Sequence, residues 1–447
     1  MSTDIRIKKG LDIKLVGEAD QTTTKLPLSS VYAIKPENFH GITPKLLAKE
    51  KTEVKAGEAL FYSKADERIL FPSPVSGEVV EVVRGAKRKI LEIKILADTS
   101  QKYQDFGKKD VSKMTPEEIK THLLASGCWP FIKRRPYDIL AKPDETPKAI
   151  FVSAYGSAPL AADYGYVLNG KDAELQAAVT ALNKLTTGKV HVCANGNSLF
   201  TSLNDVEFHK ISGPHPAGNV STQIAKIDPI NKGEVVWVVS PQDLVVIGEL
   251  LLTGKFNAQR IVALTGSQFS SPKYVTALPG IKIKDVVTDN LKSGNHRIIS
   301  GNVLSGDKVN EEGYLGYYDN QITAIPEGDD YELFGWLVPV FNKISTSRAL
   351  IFSWMFPNKK YDLNTNTNGE HRAFVVTGAY EEVFPLEIYP MQLLKSCLYK
   401  DLDEMEALGA YEVAPEDFAL TEFICTSKQP HQQIIREGLD LMIEEIG

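Results

Sequence analysis

Cysteine is scarce in this chain: four in 447 residues, at Cys128, Cys193, Cys397 and Cys425, none in a C-x-x-C pair. That spacing excludes a local zinc knuckle and a consecutive run of iron–sulfur ligands. An excess of basic charge is also missing. Lys and Arg number 50 against 57 Asp and Glu, a formal net charge of −7, which argues against general nucleic-acid binding. No apolar run approaches the roughly 18 residues that span a bilayer. The longest, DLVVIGELLL (243–252) and ALIFSWMF (349–356), are too short. No strand-like segment leads into a Gly-x-Gly-x-x-Gly or Walker loop, so no phosphate cradle is visible. The start, MSTDIRIKKG, lacks an apolar leader core, and the reduced cytoplasm is the expected compartment.

What is present is an ordinary globular composition, 43% apolar and 24% charged, in a chain too long for one core. Residues 28–98 read as short strands punctuated by Gly57, Gly77 and Gly85, with Pro72 and Pro74 before the PVSG turn. The pattern resembles the biotinyl/lipoyl carriers. Its acceptor position falls on Asp66, with Lys64 two residues away, so a carrier-like scaffold without the prosthetic group is expected. A helix follows: Thr115 caps it, Pro116 opens it, Ile119, Leu123 and Leu124 form its buried stripe, and Gly127 ends it. From 148 to 265, the strands KAIFVSA, KVHVCAN, EVVWVVS and QRIVALTG alternate with helices at 172–185 and 241–254. This predicts a parallel sheet covered on both faces. Residues 266–330 return to short β segments, and the tail from 385 is helical, with Leu393, Leu394, Leu398 and Leu402 at helical spacing.

Several constellations carry chemistry on paper. The segment ASGCWPFIKRRPYDIL (125–140) sets Trp129, Phe131 and Tyr137 around Lys133, Arg134 and Arg135, between Pro130 and Pro136. Such a cluster is commonly a solvated basic turn; its functional form grips an anion, a flat ring or a partner's carboxylates. His209 and His215 flank a Gly/Pro loop without a third ligand at usual spacing, and a loop role is expected rather than metal. His191 and Cys193 share one face of a strand, where an inert thiol fits best. Gly156 and Ser157 follow the first parallel strand, where α/β domains place ligands, in what also reads as an ordinary connection. The apolar stretch 331–357 reads most simply as core; its sharper alternative is a docking face of Trp336, Phe341, Trp354 and Phe356.

The segments SGCWPFIKRRP, HPAGNVSTQIAKIDPI (215–230), NHRIISGNVLSGD (295–307), YLGYYDNQITAIPEGDDYELFGW (314–336) and GAYEEVFPLEIYPMQLLKSCL (378–398) resemble the NqrA family, in order and nearly end to end. These are the A-type subunits of bacterial Na+-translocating NADH:quinone oxidoreductases. The resemblance implies a multidomain α/β fold. Its parts are a barrel-sandwich domain over 1–100, a Rossmann-like α/β domain over 101–257 and a β-grasp (SLBB-like) domain over 258–330. An apolar connection over 331–380 leads to a C-terminal helical domain over 381–447 that resembles a degenerate iron–sulfur domain. It further implies a peripheral component on the cytoplasmic side of the inner membrane, docked chiefly on the B-type membrane subunit. The complex would draw on NADH, flavins, iron–sulfur and quinone through its other components, with no catalytic residue, metal or tightly bound cofactor in this one. Phe39, His40, Trp129, Phe131, Lys133, Arg134 and Arg135 become quinone-proximal or subunit-interface candidates. The alternatives are a flavin-carrying electron-entry subunit, like those of complex I and Rnf complexes, and a lipoyl-like carrier. Against the first, only Gly127 stands where those relatives have a glycine run, and Cys397 and Cys425 alone do not hold a four-ligand cluster.

Overall fold

The computed structural model describes residues 3–196, 198–328, 333–335, 337, 339–346 and 351–445. Near the N-terminus, two antiparallel sheets face each other. One runs Val31–Ile34, Ile90–Ala97, Gly77–Arg84, Glu53–Val54; the other runs Pro44–Leu46, Ala59–Ser63, Asp66–Pro72. Leu60, Phe61, Phe71, Val79, Ile93 and Ile95 are buried and fill the space between them. At the hairpin tip, Asp66 accepts from Arg68, whose guanidinium also reaches Asp144 at 2.7 Å.

The helix Pro116–Ala125 begins as its sequence dictates, with a reciprocal Thr115–Glu118 capping box. Its buried stripe includes His122 beside Ile119, Leu123 and Leu124. Gly127 has φ +70°, and a Cβ there would lie 2.6 Å from the Pro72 ring of the sandwich hairpin. Gly127→Ala should therefore cost roughly 1–3 kcal/mol through strain and overpacking together. The denaturant midpoint of the variant checks this; an unchanged midpoint would contradict the close approach.

The central sheet has seven strands in the order Thr3–Arg6, Glu207–Ser212, Val190–Ala194, Ala149–Ser153, Val236–Val238, Lys133–Arg135, Ile139–Leu140. The first five are parallel and the last two antiparallel. Two features differ from what the sequence suggests. Glu207–Ser212 is a strand and not the start of a loop; its alternation is real, with His209 and Ile211 buried, but polar residues disguise it. Arg260–Thr265 leaves this sheet for the next one. The N-terminal Thr3–Arg6 also pairs here, beyond the sandwich that follows it in sequence. The helices Asp172–Asn183 and Pro241–Thr253 pack together so closely that a Cβ on Gly248 would fall 1.9 Å from the Glu174 carbonyl oxygen.

A six-stranded sheet runs Asp307–Val309, His296–Ser300, Gln321–Pro326, Arg260–Thr265, Lys273–Ala277, Asp20–Lys25. The C-terminal helices, chiefly Pro390–Tyr399 and His431–Glu445, enclose a separate core of Tyr380, Phe384, Leu393, Leu394, Met405, Phe418, Ile435 and Leu439. Of the leucines at helical spacing, Leu393 and Leu394 are buried and Leu398 is 46% exposed. Among the described residues, no helix is long and apolar enough to cross a membrane.

Candidate functional site

The parallel strands end in a cleft of about 320 Å3. Its floor comes from the turns after Ala149–Ser153 and Val236–Val238 and from Gly218, Asn219 and Val220. Tyr318 and Asn320, just before the strand Gln321–Pro326, its first residue Gln321, and Glu416 of the helical domain complete the lining. Carboxyl ends of parallel strands are where α/β sheets put ligands. A larger surface groove, about 590 Å3, begins at the carboxyl end of the edge strand Thr3–Arg6 and mixes Arg6, Lys8 and Lys9 with Glu381 and Glu387.

Two helices point their N-termini at the cleft, Val220–Ile227 and Pro241–Thr253, and each would suit an anion. The chain's own carboxylates stand there instead. Asp243 occupies the first turn of the second helix, hydrogen-bonded to Ser240 Oγ at 2.7 Å. Asp417 bonds Ser221 and accepts from Asn219 Nδ2 at the first. The cations are engaged as well. Arg260 donates to Asp243 at 2.6 Å; Arg135 donates to Glu416 at 3.0 Å and to Ser221 Oγ at 3.1 Å, with Asp138 at 3.5 Å. Burial pushes both Glu416 and Asp417 up, against the pull of Arg135. Burial would also raise Asp138, but Arg135, Lys133 and Arg436 outweigh it and hold this carboxyl at about 2. A cleft that offers Asp138, Asp243 and Glu416 against Lys133 and Arg135 does not fit the phosphate of a flavin or dinucleotide.

Ser157, which the sequence offers as an anion donor, is committed within its loop. Its hydroxyl accepts from Gly218 N at 2.7 Å and pairs with His215 Nδ1 at 3.0 Å. Gly156 lines the cleft beside it.

The aromatic–cationic cluster turns inward. Trp129 is fully buried, donates Nε1–H to the Ala141 carbonyl at 2.7 Å and meets Trp237 edge-on. Phe131 stacks between Phe256 and Tyr317. Phe39 lies in the same aromatic mass, with ring centroids 4.4 Å from Phe71 and 4.7 Å from Tyr317. The stacking of a planar ligand on Trp129 therefore does not stand: burial covers both faces of the indole. Arg134 is paired with Glu145 at 2.8 Å and is not a surface grip. Lys133 lies 4.5 Å over the Tyr318 ring. His40 bonds Asp440 at 2.7 Å, and Arg436 joins the same carboxylate and the Tyr137 carbonyl. Segment 127–138 thus touches the sandwich through Pro72, the loop leading into the strand Gln321–Pro326 through Tyr317 and Tyr318, and the helical domain through Glu416 and Arg436. It is the junction of four layers.

The histidines regroup. His215 belongs to the Ser157 loop, whereas His209 faces His191 across adjacent strands, Nε2 to Nδ1 at 3.0 Å. Glu207 Oε2 lies 3.7 Å from His191 Nδ1. Burial pushes both imidazoles down; a neighbouring imidazole adds to this at His209. Register pairs His191 with Glu207 and Cys193 with His209, so the group depends on a strand pairing invisible in the sequence. The cysteines are buried: burial pushes Cys128 and Cys397 up to about 12, and Cys425 pairs with Tyr380 Oη at 2.9 Å.

The apolar segment after the six-stranded sheet is open. Phe341, Trp354, Met355 and Phe356 are 52%, 51%, 54% and 44% exposed, and Leu333 is 85% exposed. Phe341 stacks on Phe352 and meets Phe356 edge-on. Trp336 lies outside the described residues.

Three family models match in order: NqrA N-terminal barrel-sandwich hybrid domain over 5–98, NqrA second alpha/beta domain over 114–256 and NQRA C-terminal domain over 261–311. Proteins named as the A subunit of Na(+)-translocating NADH-quinone reductase are similar end to end. The one from Yersinia pestis bv. Antiqua (strain Angola) is 36% identical over 99% of this chain and 100% of its own. The one from Vibrio atlanticus (strain LGP32) is 36% identical over the same shares. Among solved structures, a chain of an NAD+-reducing [NiFe]-hydrogenase aligns over 41% of each chain at a TM-score of 0.32 and 12% identity.

Proposed function

The chain belongs to the NqrA family, the A-type subunits of the Na+-translocating NADH-quinone reductase, and from that premise we propose how it serves such a complex. It acts as a peripheral component on the cytoplasmic side of the membrane, without bound flavin or iron–sulfur cluster. The complex oxidises NADH, reduces quinone and exports Na+; this chain supports the quinone-reducing end and docks on the B-type membrane subunit. Its C-terminal helical domain, with Cys397 and Cys425 buried singly, is read as a degenerate relative of an iron–sulfur domain. The contact with the partner runs through Phe341, Trp354 and Phe356, with Leu333 and Met355 beside them, and not through the cluster at 129–135.

The observation that carries this reading is the exposed aromatic patch itself. A chain without a spanning helix among its described residues gains from covering so much apolar surface, and aromatic anchors of this kind dominate interface energies. A quinone headgroup at this chain would lie at the cleft edge formed by Lys133 and Tyr318. The double variant Phe341→Asp/Trp354→Asp should still fold but fail to co-purify with the membrane subunits, with affinity down by at least about 30-fold. Retention of the variant in an active complex at wild-type stoichiometry would overturn the assignment.

A further inference from the structure

We infer that His191, Glu207 and His209 form a binding site for one first-row divalent cation, zinc above others. Among the described residues they are the one group whose ligand atoms all lie within 4.8 Å of one another. The observed separations are 3.0 Å between the two imidazole nitrogens and 3.7 Å from His191 Nδ1 to Glu207 Oε2. Ligands about 2.0–2.1 Å from a tetrahedral zinc stand roughly 3.3 Å apart, so both separations bracket what the metal needs. Little movement is required.

The scaffold is rigid. His191 lies near the start of the strand Val190–Ala194, and Glu207 and His209 are two residues apart on its parallel neighbour Glu207–Ser212, so all three project from one face. Phe151 stacks on the His191 ring at 4.7 Å and holds its plane. The histidines are buried, but the Glu207 side chain is 38% exposed, which gives an ion an entry path and leaves a fourth position for water. Two nitrogens and one carboxylate oxygen are the ligand set of zinc sites that keep an open position; calcium and magnesium prefer all-oxygen shells. Without metal, one imidazole must donate to the other; with metal, the donor ring changes tautomer, its proton moving to its other nitrogen, and both facing nitrogens bind the ion as neutral imidazoles. The site lies at the N-terminal ends of these strands, the opposite end of the sheet from the cleft.

The test uses the full-length chain, stripped with a chelator and titrated with Zn2+ against a chromophoric competitor. One equivalent should bind. His191→Gln should weaken binding on the order of 100-fold, and Glu207→Gln, a half-exposed position that the fold tolerates, on the order of 10-fold. His215→Gln, in the Ser157 loop, should change nothing. Co2+ in place of zinc should give the intense visible bands of a tetrahedral site. Absence of a saturable equivalent, Glu207→Gln binding as tightly as the native chain, or a cobalt spectrum of the hydrated ion would each overturn the site.

Discussion

Replacing Asp243 by alanine should destabilise the chain by roughly 3–5 kcal/mol, the cost of leaving one member of a buried ion pair without its partner. Arg260 and Asp243 side chains are 1% and 4% exposed, and Arg260 Nη2 reaches Asp243 Oδ1 at 2.6 Å. With so little of either group exposed, water is a poor replacement for the carboxylate. The guanidinium also lies 5.6 Å over the Phe131 ring, so the pair ties the N-terminus of helix Pro241–Thr253 to the interior strand Arg260–Thr265 of the six-stranded sheet and to the 129–135 segment. The loss should appear as a lower denaturant midpoint. Replacing both partners with apolar residues, as in Asp243→Leu/Arg260→Met, should recover much of it, because the desolvation cost of both charges disappears together. A loss below about 1 kcal/mol in Asp243→Ala would contradict the burial.

Arg135→Ala should detach the helical domain while leaving the central sheet intact. Its guanidinium is almost fully buried and faces Asp138, Glu416 and Ser221. Removing it leaves Asp138, Glu416 and Asp417 crowded without their cation, at a cost of roughly 3 kcal/mol. Limited proteolysis should then cut between the six-stranded sheet and residue 379 faster than in the native chain; an unchanged pattern would show that the remaining contacts hold the domain without Arg135. The same junction has an acid limit. Asp138 is held at about 2, below its ordinary value of roughly 3.9. Its contribution is therefore fully present above about pH 4 and is lost as the pH falls toward 2.

The fold is legible in the sequence wherever local chemistry dominates. Thr115, Pro116 and Gly127 mark a helix correctly, because a cap needs only its own neighbours. Val and Ile runs mark Ala149–Ser153, Val190–Ala194 and Val236–Val238, because a strand buried on both faces must be apolar. What depends on pairing is not legible. Arg134 and Arg135 look like a surface grip because their acids, Glu145 and Glu416, are named by tertiary contact alone. His209 reads as a partner for His215 in a loop, while sheet register gives it to His191. The exposed segment around Phe341 and Trp354 reads most simply as core in sequence, since apolar composition does not say which side is covered.

The proposed docking through the aromatic patch, and not through the 129–135 junction, is open to a crosslinking test. A photoreactive residue placed at Phe341, and in a separate preparation at Lys133, measures this directly in the assembled complex. Illumination should link the probe at 341 to one of the membrane subunits, and the probe at 133 only to peptides of its own chain. Links from 133 to the membrane subunits, with none from 341, would contradict the assignment.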